Sequence, residues 1–388
     1  MKFKSVMYFI ENRILRIFFI TCLPVIAFSQ PYKSTYKVSG SVNVDSGRAM
    51  FLPLGNPKNY RYRSSLSSKI VAGHFEMSDS IDYPTSYALR IDINGTVVYV
   101  SEFFMVDSGI QALNYDINKG RVEPEIVNRS MNELNNDYYN SQKEVNAKRN
   151  NYFSFSDSLT SIYSKNLPSD LSVELAKRWN DLNLLRYRQL YNYSQKHIDS
   201  YVSLWKIVGQ LRFDYNPYLD SAFNSMSSQV KNCYTGKQLE KQLKIARSLS
   251  VGSHFPVLNV IDTKFKTKSI ILRNNVSRYT LVDFWYSSCG PCLHQFNDLR
   301  NLYQLYKKRG FNIVGVSIDD TVHINDWLKV IDDKQLGWEQ YLDAGGKTIV
   351  TNLGIETFPY NFLLDKSGKI LAVNIGPGEL KAFLEKNI

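Results

Sequence analysis

The run Leu281-Val-Asp-Phe-Trp-Tyr-Ser-Ser-Cys289-Gly-Pro-Cys292 constrains this chain more than any other stretch. Tyr279 to Trp285 reads as a buried strand that carries one acid, Asp283, where an apolar residue is expected. After a short turn, Cys292, Phe296 and Leu299 recur at helical spacing. A strand that hands over to a helix within a few residues belongs to an alternating β/α architecture. Two thiols sit at the handover. A thiol at a helix N-terminus faces unpaired N–H groups and the positive end of the helix dipole, so its thiolate is favoured. The second thiol lies about one turn further on, within reach of the first. Cys-x-x-Cys at such a junction points to reversible dithiol–disulfide chemistry.

The rest of the chain sets the context. Its 388 residues suggest two or three domains. A net charge of +11 is dispersed among acids and aromatics without a dense Lys/Arg block, which argues against nucleic acid as a partner. Residues 1–29 read as a secretory signal peptide. Lys2, Lys4, Arg13 and Arg16 precede the uncharged apolar run Ile17–Phe28, and Ala27-Phe28-Ser29 offers small residues for cleavage. The run is short for a membrane span, which takes about 20 residues, and a retained anchor is the competing reading. A lipoprotein reading would use Cys22, but Phe19-Ile20-Thr21 is a poor approach to a lipidated cysteine. Cys233, Cys289 and Cys292 remain, too sparse a set for a disulfide-stapled scaffold.

Residues 30–125 read as a small antiparallel, sandwich-like β domain. Its expected strands are Tyr36–Val42, Arg48–Leu54, Ile70–Met77, Ser86–Ile93, Val97–Phe104 and Gln111–Ile117, with Asn94-Gly95 as a hairpin turn. His74 there reads as structural. Residues 126–250 read as a helical linker region. Trp179, Leu182, Leu185 and Leu190 share a face, Tyr201, Leu204, Trp205 and Val208 repeat the pattern, and a basic helix is expected over Lys237–Ser248. Asn135–Ser158 fits a long exposed helix or a flexible connector. Cys233 reads as an inert thiol. Residues 251–388 alternate strand and helix and end in a hairpin and a helix. The segment Gly337–Ile355 reads as a connector with one short helix.

Val282-Asp-Phe-Trp285, Cys289-Gly-Pro-Cys292, Val314-Gly-Val-Ser-Ile-Asp319 and Gly354-Ile-Glu-Thr-Phe-Pro-Tyr-Asn-Phe-Leu-Leu-Asp365 together resemble the TlpA/ResA family of extracytoplasmic thiol–disulfide oxidoreductases. The resemblance implies an α/β thioredoxin fold for residues 251–388. Residues 36–118 more weakly resemble the β domain of unknown function that precedes such modules. By the same resemblance Cys289 is the nucleophile, Cys292 the resolving thiol, and Pro359 a cis-proline facing them. Asp283, six residues before Cys289, takes the place of the buried acid of thioredoxin and would accept the proton of Cys292. Many family members carry a Glu three residues after the second cysteine; this chain has Gln295. Trp285, Ser288, Gly290, Pro291 and Phe358 are expected to meet substrate, and the small Ser288 is expected to leave Cys289 exposed. The Gly-Pro dipeptide resembles that of reducing thioredoxins.

These implications add up to an exported reductase of disulfides in cell-envelope (periplasmic) proteins. Its centre would be the Cys289–Cys292 pair, with no other cofactor and no metal. A membrane thiol-transfer protein would supply electrons, and apocytochrome c haem-site cysteines are one expected substrate. A zinc site is excluded because one Cys-x-x-Cys and His294 provide too few ligands. A peroxidase is excluded because Tyr286 stands where a threonine is required. The alternative is a non-catalytic envelope protein whose β and helical regions bind a partner or glycan.

Overall fold

The computed structural model describes residues 34–55, 66–127, 129–163, 167–211, 215–273, 277–343, 345 and 347–388. The expected signal and the Cys22 alternative lie outside these residues. None of the described helices is long and apolar enough to cross a membrane.

Eight strands build the first sheet: β1 (Ser34–Val42), β2 (Ser46–Pro53), β3 (Leu66–Val71), β4 (His74–Ile81), β5 (Thr85–Ile93), β6 (Thr96–Val106), β7 (Gly109–Tyr115) and β8 (Glu125–Val127). Their order is β6-β5-β2-β3-β4-β1-β7-β8. Alternation fixes the buried face, as in β1, where Tyr36, Val38, Gly40 and Val42 point inward. Glycine is required at position 40, because a Cβ there would run into the Phe75 ring across the β1–β4 pair. The sheet curls so that β6 meets the segment beyond β7. Glu102 N–H donates to Val122 O at 3.1 Å, and the rings of Tyr99 and Tyr115 lie 4.9 Å apart. The β-rich expectation is met, with two departures: the strands form one curled sheet and not two packed layers, and β1 and β7 pair in parallel. The expected strand Ile70–Met77 is two strands. It folds back at Ala72-Gly73, both at positive φ (48° and 78°).

Helices follow: α1 (Arg129–Ser141), α2 (Lys143–Tyr163), α3 (Ser169–Lys196), α4 (Tyr201–Leu211), α5 (Pro217–Ser225), α6 (Ser228–Asn232) and α7 (Tyr234–Ser248). The polar stretch Asn135–Ser158 is thus helical. α7 begins earlier than Lys237 because the Cys233 sulfur accepts from Gly236 N–H at 3.3 Å and caps it. Burial pushes that thiol up to about 11, which leaves it almost no thiolate at neutral pH. The helices are docked on the β domain. Leu54 and Met105 join their core, Trp205 Nε1 donates to Pro84 O at 2.9 Å, and Tyr83 Oη lies 3.0 Å from Thr235 Oγ1.

The last unit is a seven-stranded mixed sheet in the order β10-β9-β13-β12-β11-β14-β15. Its strands are β9 (Leu258–Asp262), β10 (Thr267–Ile270), β11 (Tyr279–Trp285), β12 (Phe311–Ser317), β13 (Glu339–Asp343), β14 (Tyr360–Asp365) and β15 (Ile370–Val373). β13 corrects the expected connector: it pairs in parallel with β12 and antiparallel with β9. Side chains of α8 (Gly290–Tyr306), α9 (Ile324–Asp333) and α11 (Pro377–Asn387) share one core with Leu281 and Trp285 of β11. α10 (Thr348–Asn352) covers the other core, with Val282 and Phe284. Leu249 is buried in that second core and Ile245 packs on it, so α7 and the residue after it complete the redox unit. Leu249→Ala is therefore expected to destabilise this unit by roughly 2–5 kcal/mol. Urea unfolding followed by near-UV signals of its tryptophans reads the loss; an unchanged midpoint would make α7 a mere spacer.

Candidate active site

β11 lies between β12 and β14, and its C-terminal end delivers the chain to the cysteines. Cys289 caps α8: its sulfur accepts from Cys292 N–H at 3.2 Å. Pro291 sits in the first turn, where its missing N–H costs nothing. Cys289 and Cys292 are joined in a disulfide with their Cα atoms 5.3 Å apart. Ser288, Gly290 and Pro291 are exposed and form the rim of this centre. Cys289 itself is only 2% exposed. The expectation that a small Ser288 leaves it open is corrected, because the sulfur is tucked under the turn and into the α8 core.

Asp283 is fully buried, on the same face of β11 as Leu281 and Trp285, and that face packs in the cluster holding both cysteines. Gln295, one turn beyond Cys292, donates to Asp283 Oδ1 at 3.3 Å. Oδ2 is buried with no hydrogen-bond partner among the described residues. Burial pushes the carboxyl up to about 8, while the Gln295 bond opposes the shift. A carboxyl with such a value exchanges protons near neutral pH and can serve as acid or base. Gln295, which breaks the subfamily pattern in sequence, here holds the acid. Asp283 also belongs to a polar rung across the sheet, opposite Asn361 on β14 and Gly315 on β12, with Gln340 of β13 beyond Gly315.

Pro359 follows a cis peptide bond from Phe358. The Phe358 ring meets Tyr286 edge-on at 5.5 Å, which ties the proline loop to the turn before Cys289. Both rings are partly exposed and pack against the cluster containing the cysteines. Trp285 has no access to substrate: it is fully buried, donates from Nε1 to Gln340 Oε1 at 3.2 Å, and stacks edge-on against Phe296 at 5.1 Å. Its expected substrate contact is replaced by a role in seating α8. His294 is exposed, and no cluster of metal-ligating side chains occurs among the described residues.

Asp319 is a positioning residue that has no assigned role in the sequence. Its buried carboxylate accepts from Ser287 N–H at 2.8 Å, Ser287 Oγ–H at 2.7 Å and Ser317 Oγ–H at 2.6 Å. These bonds clamp the turn two residues before Cys289 to the end of β12. Asp319 stands in the quoted Val314–Asp319 run, but its partner Ser287 lies 32 residues away, and no local pattern joins them.

Residues 250–386 match the Redoxin family model. The thiol-disulfide oxidoreductase ResA of Bacillus thuringiensis subsp. konkukian is 29% identical over 124 residues, 32% of this chain and 68% of that protein. ResA of Bacillus anthracis is 28% identical over 142 residues, 36% of this chain and 79% of that protein. A crystal structure of the thioredoxin domain of a thiol-disulfide oxidoreductase from Bacteroides vulgatus is 33% identical and covers 36% of this chain and 98% of its own, with a TM-score of 0.32.

The state of Asp283 has a measurable consequence. In the unfolded chain the carboxyl ionises near 3.9; in the fold it does so at about 8. Between those values only the folded protein keeps the proton. Its stabilising effect is complete below pH 4 and is lost as pH rises to about 8, with a slope of up to about 1.4 kcal/mol per pH unit. Urea unfolding of the oxidised protein should show this fall, and Asp283→Asn should flatten it and stabilise the protein at pH 8. The same slope in both proteins would mean that the carboxyl is hydrated.

Proposed function

We propose that residues 250–386, a TlpA/ResA-like thioredoxin-fold domain of the thiol–disulfide oxidoreductase kind, reduce disulfides of cell-envelope proteins through Cys289 and Cys292. The observation that carries this reading is the Cys289–Cys292 disulfide at the start of α8 above a desolvated acid.

The reaction starts from the dithiol. The Cys289 thiolate, favoured by the helix N-terminus, attacks one sulfur of a substrate disulfide. A mixed disulfide forms, and the other substrate sulfur leaves as a thiolate that takes up a proton. Cys292 gives its proton to the Asp283 carboxylate and attacks the Cys289 sulfur. The second substrate thiol is released, and the domain holds the Cys289–Cys292 disulfide. Two electrons have passed from domain to substrate. A membrane thiol-transfer protein restores them by the reverse exchange, and Asp283 hands back the proton. Ser288, Gly290, Pro291 and Phe358 form the surface that meets the substrate around the cysteines and Pro359.

The basic start and apolar run of residues 1–29, read as an export signal, support an extracytoplasmic location. The haem-site cysteines of apocytochromes c are one substrate class that this chemistry would serve. Insulin reduction with dithiothreitol tests the assignment. Cys289→Ser should abolish catalysis, Cys292→Ser should accumulate the mixed disulfide, and Asp283→Asn should slow release of that intermediate by about 10²-fold. Equal rates for wild type and Cys289→Ser would sink the reading.

A further inference from the structure

The β domain, the helical middle and the redox domain wall a cleft of about 2060 Å³. Sites for one small molecule usually occupy about 300–1,000 Å³. This volume suits a chain segment better. Two of its walls are sheet edges. β8 ends the first sheet and β15 ends the second, and β8 lines the cleft together with Leu371, Ala372 and Val373. An edge strand presents N–H and C=O groups in the spacing that another extended chain can pair with. The outer side of β15 is occupied only at its start, where Ile370 N–H donates to Ser253 O and Ile370 O accepts from Gly252 N–H, both at 2.8 Å. The β-bulge at Leu371 shifts the alternation, so Ala372 faces Leu363 of β14, while Val373, next to Asn374 whose N–H donates to Asn361 O at 2.8 Å, turns its main chain outward, and no strand lies beside it among the described residues.

Side chains in the cleft mix aromatic, amide and charged groups. Lys206 Nζ sits over the rings of Tyr138 and Tyr139, at 4.9 and 5.3 Å. Glu123 Oε2 is buried with no hydrogen-bond partner among the described residues. Burial pushes that carboxyl up to about 7, although Lys206 pulls it down. A buried acceptor without a donor is unfavourable, and an incoming N–H or ammonium group would satisfy it. Two of the cationic side chains are paired, Arg121 with Glu102 at 3.0 Å and Arg247 with Asp220 at 2.7 Å. Arg149, Arg186 and Lys206 line the cleft alongside Glu123, Glu125 and Glu379, so it presents both charge signs, which suits a polypeptide better than a polyanion. The cleft also reaches Glu356 and Tyr360, which bracket Phe358 and Pro359.

We propose that this cleft binds an extended stretch of the protein whose disulfide is reduced, pairing its main chain with the edges of β8 and β15 and placing a donor on Glu123. The identity of the bound chain rests on the oxidoreductase reading; the binding itself does not. The test therefore measures binding without redox chemistry. The probe is fluorescein-labelled insulin B chain, reduced and carbamidomethylated, titrated with the whole protein by fluorescence anisotropy. Wild type should bind it. Val373→Pro removes the outward N–H and spares the ladder to β14, since proline is tolerated on edge strands facing away from the sheet. Glu123→Gln removes the carboxylate. Each should weaken binding about tenfold, the scale of one lost hydrogen bond to a desolvated group. If Val373→Pro does not fold, Glu123→Gln decides. No binding by wild type, or equal affinity for wild type and the folded variants, overturns the cleft assignment. Failure of wild type to reduce glutathione disulfide overturns the oxidoreductase reading instead and leaves the binding result standing.

Discussion

A carboxyl group kept out of water is the condition on which the redox domain depends. Asp283 is fully buried in the layer between β11 and α8, and one of its oxygens has no hydrogen-bond partner among the described residues. Desolvation holds its proton affinity near neutrality. A hydrated Asp283 would ionise near 3.9 and be a poor base for a thiol. Everything that seals the layer therefore tunes the chemistry: Leu281 and Trp285 beside the acid, Phe296 and Leu299 of α8 above it, and Gln295 holding one oxygen. The two cysteines belong to the same sealed layer. Solvent exposure at the centre is confined to the rim, at Ser288, Gly290 and Pro291.

Sealing extends outward along the polar rung. Gly315 has no side chain because a Cβ there would run into the amide of Gln340. That amide accepts the indole N–H of Trp285. Trp285 then packs against Phe296, which orients the first turns of α8. β13 thus takes part in placing the start of α8, although it lies two strands from β11. Asp319 works on the same turn from another side, through Ser287. The start of α8 is over-determined, as a site that must hold two sulfurs in register requires.

Much of this is legible in the sequence, for a local reason. β11, the thiol pair and the helix after it carry their signals within a short window, and Asp283 stands out because it interrupts an apolar strand. Asn94-Gly95 announces its turn, and both residues take the positive φ that such a hairpin needs (51° and 79°). The features that escape depend on distant partners. Ala72 takes a positive φ that alanine disfavours, so the turn between β3 and β4 is written only in the pairing of those strands. β13 contains Glu339, Gln340 and Asp343, which read as a loop. Gln340 is buried against Trp285, and Asp343 accepts from Ile349 N–H at 2.7 Å. The substrate-contact expectation for Trp285 fails for the same reason: a tryptophan at a strand end reads alike whether it faces solvent or a buried amide.

Most unexpected from sequence is how the helical middle joins the two sheets, and α7 shows why it is more than a spacer. At its N-terminal end Thr235 meets Tyr83 of the β domain, both through its hydroxyl and through its N–H at 3.2 Å. At its C-terminal end Ile245 and then Leu249 enter the core of the redox domain. A helix of 15 residues spans about 22 Å. Being hydrogen-bonded along its length, it transmits position rather than absorbing it. Near the redox end, Gln242 and Ile245 lie against Gly354, and a Cβ at that glycine would stand 3.2 and 3.5 Å from them. Gly354 is five residues before Pro359. The loop of the cis-proline is thus braced by a helix whose other end is fixed to the β domain. A displacement of the β domain on this strut would shift the cleft wall and the proline loop together. Joining a rigid strut to a redox core in this way couples the accessory domains to the loop that carries Pro359.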